Sequence, residues 1–429
     1  MKQGRYLAFR GIALAAAAVA GLSAASAQET LTFWDDIYTD DSSIVAQKEM
    51  IRLFEEKHPG VTVEYVVKSF AQFVPTAKLA LAGDGAPDVV ICAYGETCNG
   101  ELVRAGLVIP TQKYADQYDW TKGVDPALLP GLRFTAEGKW GEGEIYGFSE
   151  TYDLVGLYYN KEKLAALGHE IPKSMTEFEQ ILADAKAAGE TPIQLGDLEK
   201  SPLAFVWFAL MDYSMPTEDL TAWIYHKPGA TIVNPGAIAA TEKLKAWYDA
   251  GYFSADLLGQ DLVTAVEKFD SGDGVFLFTG AWFTGLLDQL GDNASFTLVP
   301  PPEEGGKYVA THTLSNPVMI TAKAENPDLA AEFVNWITGW ETAQIRANAG
   351  MNTTRPEAVT SVPSKTQEDV LAAFKKMQSE GSAISFLDVT APGMLTEADT
   401  GLQNVLGGVT SVEDFLVMVQ EIRDRAANR

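Results

Sequence analysis

Alternating strand and helix patterns over residues 31–91 constrain the fold of this chain more than any other feature. Apolar runs at 31–34, 61–67 and 88–91 predict three strands, and the segments 43–58 and 73–81 between them predict two helices. Gly and Pro residues follow both helical segments and mark their ends. This order of elements is typical of a parallel sheet with helices packed against its faces. The N-terminal region is therefore predicted to be α/β.

The same rhythm recurs further along the chain. Strands are predicted at 154–160, 274–278 and 317–322, and helices at 175–188, 327–339, 367–379 and 411–427. A chain of 429 residues is too long for one hydrophobic core and suits two lobes. No tandem repeat or low-complexity linker interrupts it. We therefore expect two α/β lobes joined by several short crossings that can act as a hinge.

The first 27 residues have the features of an export signal. Lys2, Arg5 and Arg10 precede an apolar run at 12–22, and the small residues Ala25 and Ala27 flank a predicted cleavage site before residue 28. The alternative is an uncleaved anchor, but a spanning helix needs roughly 20 apolar residues. The residue directly after the cleavage site is not a Cys, and no later segment has the pattern of a transmembrane helix. We expect a soluble exported protein, periplasmic in a two-membrane bacterium.

The charge of the chain limits its partners. It has 58 acidic and 32 basic residues, and the export signal holds three of the basic ones. Because affinity for nucleic acid and anionic lipid comes largely from Lys and Arg, neither is an expected partner.

Cysteine and histidine usage argues against a metal site. His58, His169, His226 and His312 share no ligand spacing. The two cysteines, Cys92 and Cys98, are separated by five residues that include a glycine. Export permits a disulfide between them, but a pair of buried thiols remains the alternative because geometry decides.

No catalytic motif is present. The chain lacks a Gly-x-Ser-x-Gly elbow, a phosphate-binding Walker loop and a His-Glu-x-x-His pair. Paired carboxylates for glycoside hydrolysis cannot be assigned from the abundance of acidic residues alone.

Five segments in order resemble the extracellular solute-binding proteins of ABC importers, the group that includes maltose-binding protein. They are 31–34 (LTFW), 82–90 (AGDGAPDVV), 144–161 (EIYGF with LYYNK), 269–282 (FDSG with FTGAW) and 330–334 (AAEFV). These segments stand behind the export signal, and the resemblance extends over most of the mature chain.

The resemblance implies a type II periplasmic binding-protein fold and a transport function. The N-terminal lobe would comprise residues 28–148 and 317–345, and the C-terminal lobe residues 149–316 and 346–429. A monomer would bind a carbohydrate between the lobes and deliver it to a membrane permease. The resemblance implies no cofactor, no metal and no catalytic residue.

Sugar sites need aromatic rings for apolar C–H faces and polar groups for hydroxyls. In open α/β sheets such sites lie at the carboxyl ends of strands. The residues that the resembled fold places there are Trp34, Asp36, Phe70, Tyr94, Glu96, Tyr152, Asp153, Gly280, Trp282, His312, Asn352 and Arg355. Trp282 has the best motif match and is predicted to stack on the ligand.

Seven of the other assignments have a structural alternative. Trp34, Tyr94 and Tyr152 can equally pack the core or the lobe interface, and Phe70 can pack at the hinge. Asp36 and Glu96 can be solvated acids, and Arg355 can form a salt bridge between lobes. The remaining tryptophans in helical patterns are predicted to be core: Trp207, Trp223, Trp247, Trp336 and Trp340.

One departure from the family pattern bears on ligand size. Cys92 stands where maltose-binding members carry a Trp, which favours a small glycan, a modified monosaccharide or a polyol over a long maltodextrin. The rival function is a secreted carbohydrate-active enzyme that uses two cleft carboxylates. A binding protein for a peptide or metal chelate is a third alternative.

Overall fold

The computed structural model describes Met1 and residues 28–36, 41–287 and 290–427. The export signal is predicted over residues 1–27, and all of it except Met1 lies outside this range. The described strands are β1 (Glu29–Asp35), β2 (Val61–Val67), β3 (Val89–Ile91), β4 (Arg133–Phe134), β5 (Glu144–Ile145), β6 (Phe148–Ser149), β7 (Tyr152–Asn160), β8 (Ile193–Gln194), β9 (Phe276–Gly280), β10 (Ala294–Thr297), β11 (Val309–Leu314), β12 (Pro317–Ile320) and β13 (Ser382–Ile384).

Helices cover both sheets. They are α1 (Asp41–Lys57), α2 (Phe70–Phe73), α3 (Ala77–Ala82), α4 (Asn99–Arg104), α5 (Gln112–Gln117), α6 (Lys161–Ala166), α7 (Met175–Ala187), α8 (Pro202–Ser214), α9 (Thr217–Ile224), α10 (Pro235–Asp249), α11 (Leu262–Asp270), α12 (Pro327–Ile337), α13 (Ala343–Asn348), α14 (Lys365–Glu380), α15 (Met394–Leu406) and α16 (Val412–Ala427). Short 3₁₀ segments include Ala281–Leu286 and Leu387–Thr390.

The N-terminal lobe contains a five-stranded sheet in the order β2-β1-β3-β12-β6. β1 pairs in parallel with both β2 and β3, which confirms the parallel arrangement predicted for residues 31–91. β12 runs antiparallel to β3 and β6. The predicted helix at 73–81 is instead two short helices, because Pro75 lies in a 3₁₀ turn between α2 and α3.

The C-terminal lobe is built on a second sheet in the order β13-β11-β7-β9-β8, with β10 also paired to β7. β8 and β9 are parallel, as are β11 and β13, and β7 runs antiparallel to its neighbours. The chain crosses between the sheets where β6 leads into β7 and where β11 leads into β12. Ser315 donates its backbone N–H to the Thr151 carbonyl, so the two crossings are tied together.

A buried ion pair lies beside the first crossing. Glu150 Oε2 accepts hydrogen bonds from Arg346 Nε at 3.0 Å and Nη2 at 2.8 Å. Gln47 of α1 donates to both Glu150 oxygens at 3.0 and 3.1 Å. Burial raises the pKa of Glu150 to about 7, with a contribution from Asp35, while Arg346 and Gln47 oppose the shift. The network links α1, the crossing and α13 through buried polar groups.

Most of the tryptophans that helical patterns predict to be core residues are buried. Trp207, Trp223, Trp247 and Trp336 are buried, as predicted. The prediction for Trp340 is wrong, because its side chain is 38% exposed and the Arg355 guanidinium lies 5.1 Å from its ring centroid. Among the described residues, no helix has the length and apolarity needed to cross a bilayer.

Asp212 of α8 gives the ligand-free protein a testable pH dependence. Its Oδ2 accepts a hydrogen bond from Thr311 Oγ1 at 2.9 Å, and its Oδ1 is buried with no partner among the described residues. Burial raises the pKa of Asp212 from 3.8 to about 8. Protonated Asp212 therefore stabilises the fold fully below pH 4, and this contribution is lost as the pH rises towards 8.

Asp212→Asn keeps an acceptor for Thr311 and cannot ionise. We expect it to raise the free energy of unfolding by at least ~1 kcal/mol at pH 8 and to have little effect at pH 4. Urea unfolding at both pH values measures this difference. An equal change in the free energy of unfolding at the two pH values would contradict the claim that ionisation of buried Asp212 destabilises the fold.

Candidate functional site

Trp282 forms an exposed aromatic platform just beyond the end of β9. Its side chain is 39% exposed, and its ring lies over Gly280, where a Cβ would come within 1.8 Å of the indole. Phe205 and Phe386 support the ring edge-on and at a tilt, with centroids 5.5 and 6.3 Å away. Gly280 and Trp282, both predicted site residues, are thus in contact. Only a glycine at position 280 leaves room for the indole ring to lie over the backbone.

Asp36 follows β1 and carries a buried carboxyl group. The residue is 1% exposed, and neither carboxyl oxygen has a hydrogen-bond partner among the described residues. Burial, with the neighbouring charge of Asp35, raises the pKa of Asp36 well above its ordinary value. Because buried carboxylates are costly without donors, the group is suited to receive donors from a bound molecule.

Tyr94 follows β3 and reaches the C-terminal lobe. Its hydroxyl lies among those of Tyr225, Thr313 and Ser385, and burial raises its pKa to about 12. Its backbone N–H donates to Asn316 Oδ1 at 2.9 Å, in the second crossing. Tyr94 therefore joins residues of both lobes, in agreement with the lobe-interface alternative.

Asp153 and His312 lie on adjacent strands beside this cluster. Asp153 is paired in register with Thr313, and burial raises its pKa to about 7, partly offset by a hydrogen bond from Ser315. His312 Nδ1 contacts the Asp153 carbonyl at 2.7 Å, so Nδ1 carries the proton. Burial lowers the pKa of His312 to about 4, which leaves a neutral ring with Nε2 as an acceptor.

Tyr152 does not form part of an open site, whereas Asn352 is half-buried and its ligand contact stays a prediction. The Tyr152 ring stacks on Phe374 with centroids 3.6 Å apart and planes 7° apart, inside the core of the C-terminal lobe. Asn352 Nδ2 lies 3.5 Å from the Tyr152 carbonyl. Tyr152 is therefore a packing residue, which is the structural alternative to ligand contact.

Glu96 and Arg355 have structural roles in place of the predicted ligand contacts. Glu96 is buried, not solvated, and its oxygens accept hydrogen bonds from Arg104 at 3.0 and 2.6 Å. Arg355 donates to the carbonyls of Lys122 and Trp120 at 2.7 and 2.6 Å, so it binds backbone oxygens rather than a carboxylate. Burial lowers the pKa of Arg355 to about 10, within the range where it stays charged.

Trp34 lies near the end of β1, and Phe70 begins α2. Trp34 is partly buried, with Lys68 Nζ 3.9 Å from its ring centroid and Phe73 packed edge-on at 5.9 Å. Phe70 is 46% exposed, which does not fit the alternative of hinge packing. Ligand contact by either residue stays a prediction.

Cys92 and Cys98 form a disulfide, with Cα atoms 6.0 Å apart. The bridge closes the loop that carries Tyr94 and Glu96. In the described part of the chain, no group of His, Cys, Asp and Glu side chains is arranged to hold a metal ion.

Loss of this disulfide has a defined expected result. Closing so short a loop restricts the unfolded chain, so Cys92→Ala/Cys98→Ala should lower the free energy of unfolding by about 2 kcal/mol. Urea unfolding measures the loss, and thiol labelling of the denatured, unreduced wild type should find no free thiol. Two labelled cysteines, or a variant as stable as the wild type, would contradict the bridge.

Four residues that the sequence reasoning missed complete the surroundings of this site. They come from α8, from the end of α9 and from the segment after β13, and no motif marks them: Phe205, Tyr225, Ser385 and Phe386. Their only local signal is an aromatic side chain or hydroxyl in an apolar context.

Comparisons with known proteins bear on the family and the fold of this chain. The galactooligosaccharide-binding protein of Bacillus subtilis is 20% identical over 90% of this chain and 87% of its own length. A chitin oligosaccharide binding protein of known structure superposes with a TM-score of 0.76 at 20% identity, covering 93% of this chain and 99% of that one. The raffinose complex of the solute-binding protein RafE gives a TM-score of 0.70 at 20% identity, with coverages of 93% and 99%.

These structural likenesses establish the two-lobed fold. The family described as bacterial extracellular solute-binding protein matches residues 32–344, most of the chain. The chain therefore belongs to the family of bacterial extracellular solute-binding proteins and is a binding protein rather than an enzyme.

Proposed function

We propose that this protein binds a carbohydrate between its two lobes and delivers it to the membrane permease of an ABC importer. The observation that carries the proposal is the Trp282 platform, an exposed ring supported from below by Phe205 and Phe386. Relatives named for galactooligosaccharide, lactose and multiple-sugar binding support the same class of ligand. The mature protein acts as a periplasmic monomer after cleavage before residue 28.

Polar groups at the other predicted positions suit a neutral polyhydroxylated ligand. Asp36 offers two acceptor oxygens without partners among the described residues, and Tyr94, Thr313 and Ser385 offer hydroxyls. Sugar hydroxyls donate to the former and exchange hydrogen bonds with the latter, while a pyranose C–H face covers the indole. A small glycan, a modified monosaccharide or a polyol fits this combination.

Ligand binding would act by shifting the population from open to closed lobes. The lobes comprise residues 28–148 with 317–345 and residues 149–316 with 346–429, which places Asp36 and Tyr94 on one lobe and Trp282 on the other. A ligand that contacts both lobes favours the closed form, which the permease would recognise.

Thermal-shift screening of the mature protein against sugars, polyols, peptides and metal chelates tests this function. A ligand at 100 times its dissociation constant adds roughly 2.7 kcal/mol to the free energy of unfolding. We expect sugars or polyols alone to give this shift and the protein to release no product from glycosides. Stabilisation by peptides or chelates but by no sugar would contradict the proposal.

Trp282→Ala tests the platform itself. Loss of the ring contact and its apolar area should weaken binding of the screened sugar at least ~10-fold, because a ring contact adds about 1 kcal/mol beyond area burial. Since the side chain is 39% exposed, the ligand-free melting temperature should change little. Calorimetric titration and melting curves of the same samples measure both effects.

Trp340→Ala is the matched control, because Trp340 is 38% exposed but packs on Arg355. Its affinity should stay within a few-fold of the wild type. Equal losses in the two variants, or normal affinity in Trp282→Ala, would remove Trp282 from the site.

A further inference from the structure

Two buried carboxyl groups cap the start of helix α8. The N-cap residue of this helix, Ser201, makes no capping hydrogen bond, and the proline after it has no N–H to donate. The next N–H, of Leu203, donates to Asp197 Oδ1 at 3.0 Å. The one after that, of Ala204, donates to Asp399 Oδ2 at 3.0 Å. We call Asp197, from the loop after β8, and Asp399, from α15, the acid pair.

The two carboxyl groups of the acid pair share one proton. Both residues are 0% exposed, and their side chains hydrogen-bond to each other. Two carboxylates have no proton to donate, so a hydrogen bond between them needs one protonated member. Asp197 Oδ2 accepts from Gln403 Nε2 at 2.8 Å, whereas Asp399 Oδ1 has no other partner among the described residues. Asp399 is therefore the member that carries the proton.

Burial sets the pH at which this shared proton is lost. Burial and the neighbouring charge of Asp197 raise the pKa of Asp399 to about 9. The Ala204 N–H and the charge of Lys200 oppose this shift. Burial also raises the pKa of Asp197, against hydrogen bonds from Asp399, Gln403 and two backbone N–H groups. Because neither side chain is exposed, solvent cannot screen the two charges that coexist once the proton is lost.

The acid pair lies beside the residues that support the Trp282 platform. Phe205 directly follows Ala204 on α8, and its ring packs edge-on against the indole with centroids 5.5 Å apart. Phe386, the other support, packs on Phe205 at 6.0 Å and precedes the 3₁₀ segment Leu387–Thr390 that leads into α15. The acid pair thus ties together α8 and α15, the two elements next to which both supports of the indole lie.

We propose that the acid pair positions the Trp282 platform, and that loss of its shared proton weakens ligand binding. This inference rests on the proposed carbohydrate function and adds a proton to it as a second effector. With the proton in place, the pair fixes the first turn of α8 against α15 and keeps Phe205 under the indole. Without the proton, the two carboxylates repel, and the first turn of α8 moves away from α15 together with Phe205.

The pH dependence of sugar affinity tests this coupling. The probe is the sugar that gives the largest thermal shift, and calorimetric titration measures its dissociation constant at pH 7 and pH 10 in samples whose melting curves show folded protein. Above the pKa of Asp399, the protonated fraction falls about 10-fold per pH unit, and the apparent affinity falls with the binding-competent fraction. We expect the wild type to bind about 10-fold more weakly at pH 10 than at pH 7.

Asp399→Asn separates the shared proton from other groups that titrate in this range. Its amide keeps an acceptor for the Ala204 N–H, donates to Asp197 and cannot ionise, so the variant imitates the protonated pair at every pH. It should bind within a few-fold of the wild type at pH 7 and keep that affinity at pH 10. Asp212→Asn is the matched control, because Asp212 is a buried acid near the other end of α8. Its affinity should fall with pH as in the wild type.

Fluorescence of the ligand-free protein tests the positioning role without a sugar. Subtracting the spectrum of the Trp282→Phe form of each protein isolates the emission of this indole. Acrylamide should quench that emission more strongly at pH 10 than at pH 7 in the wild type, because the indole loses its support. In Asp399→Asn, quenching should be equal at the two pH values.

The remaining outcomes each decide the matter. An equal loss of affinity in Asp399→Asn and the wild type, no loss in the wild type, or a pH-independent affinity in Asp212→Asn overturns the inference alone. Indole quenching that does not change with pH in the wild type overturns the positioning role. If no sugar binds at pH 7, the carbohydrate function is contradicted, and the quenching still decides the positioning role. If Asp399→Asn does not fold, Asp197→Asn, which also leaves one ionisable member in the pair, takes its place.

Discussion

Asp36→Ala is expected to weaken sugar binding about 100-fold while it raises the melting temperature of the ligand-free protein. Hydrogen bonds to a charged group are worth about 1.5–3 kcal/mol each, and two lost bonds from sugar hydroxyls at the lower end of this range give a change of about this size. Without ligand, the buried carboxyl has no partner among the described residues, so its removal relieves an unfavourable desolvation. A residue that served only the fold would move stability in the opposite direction.

The stabilisation by Asp36→Ala should depend on pH in a defined direction. Because the folded-state pKa of Asp36 is raised, ionisation opposes folding as the pH rises above the ordinary value of 3.8. The variant should therefore gain most over the wild type at neutral pH and least near pH 4. Calorimetric titration and melting curves check both effects, with Asp212→Asn as a buried-acid control of normal affinity. A variant with normal affinity, or one that melts lower at neutral pH, would contradict the role of Asp36.

Arg346→Met is expected to lower the free energy of unfolding by about 3–5 kcal/mol, because it leaves Glu150 buried without its cation. The two side chains are 0% and 2% exposed, so solvent cannot replace the lost partner. Loss of Arg346 should raise the pKa of Glu150 further above 7. The loss of stability should thus be nearly constant below about pH 7, where Glu150 is protonated in both folded proteins, and should grow as the pH rises above it.

The double variant Arg346→Met/Glu150→Gln is the control for this prediction. It removes both charges and should recover most of the stability, since a buried ion pair adds little over neutral groups of similar size. Urea unfolding of the wild type and both variants at two pH values measures these differences. A loss below about 1 kcal/mol in Arg346→Met would show that the pair is not essential to the crossing.

The sequence predicts the elements of the first sheet well, because their local patterns agree with their environments. β2 has the bounds that the alternating run at 61–67 predicts, and α1 and α7 are within two residues of prediction. α8 is not found by periodicity, because residues 202–212 are buried on every side and show no polar face. The short β8 and β13 have too few residues to show a pattern.

The candidate site is predictable only where it follows strand ends. Asp36, Tyr94 and Trp282 follow the ends of β1, β3 and β9, so strand order alone makes them candidates. The sequence cannot distinguish Glu96 from a solvated acid, because only the fold shows that Arg104 binds its carboxylate. The carbonyls that hold Arg355 lie 233 and 235 residues away, beyond any local signal.

The crystal structure of the protein with the sugar that stabilises it most tests the central claim most directly. We expect one glycan between the lobes, with a pyranose face on the Trp282 ring and hydroxyls donating to the Asp36 carboxylate. A glycan bound outside the cleft, or bound in it without contact to Asp36 and Trp282, would contradict this account.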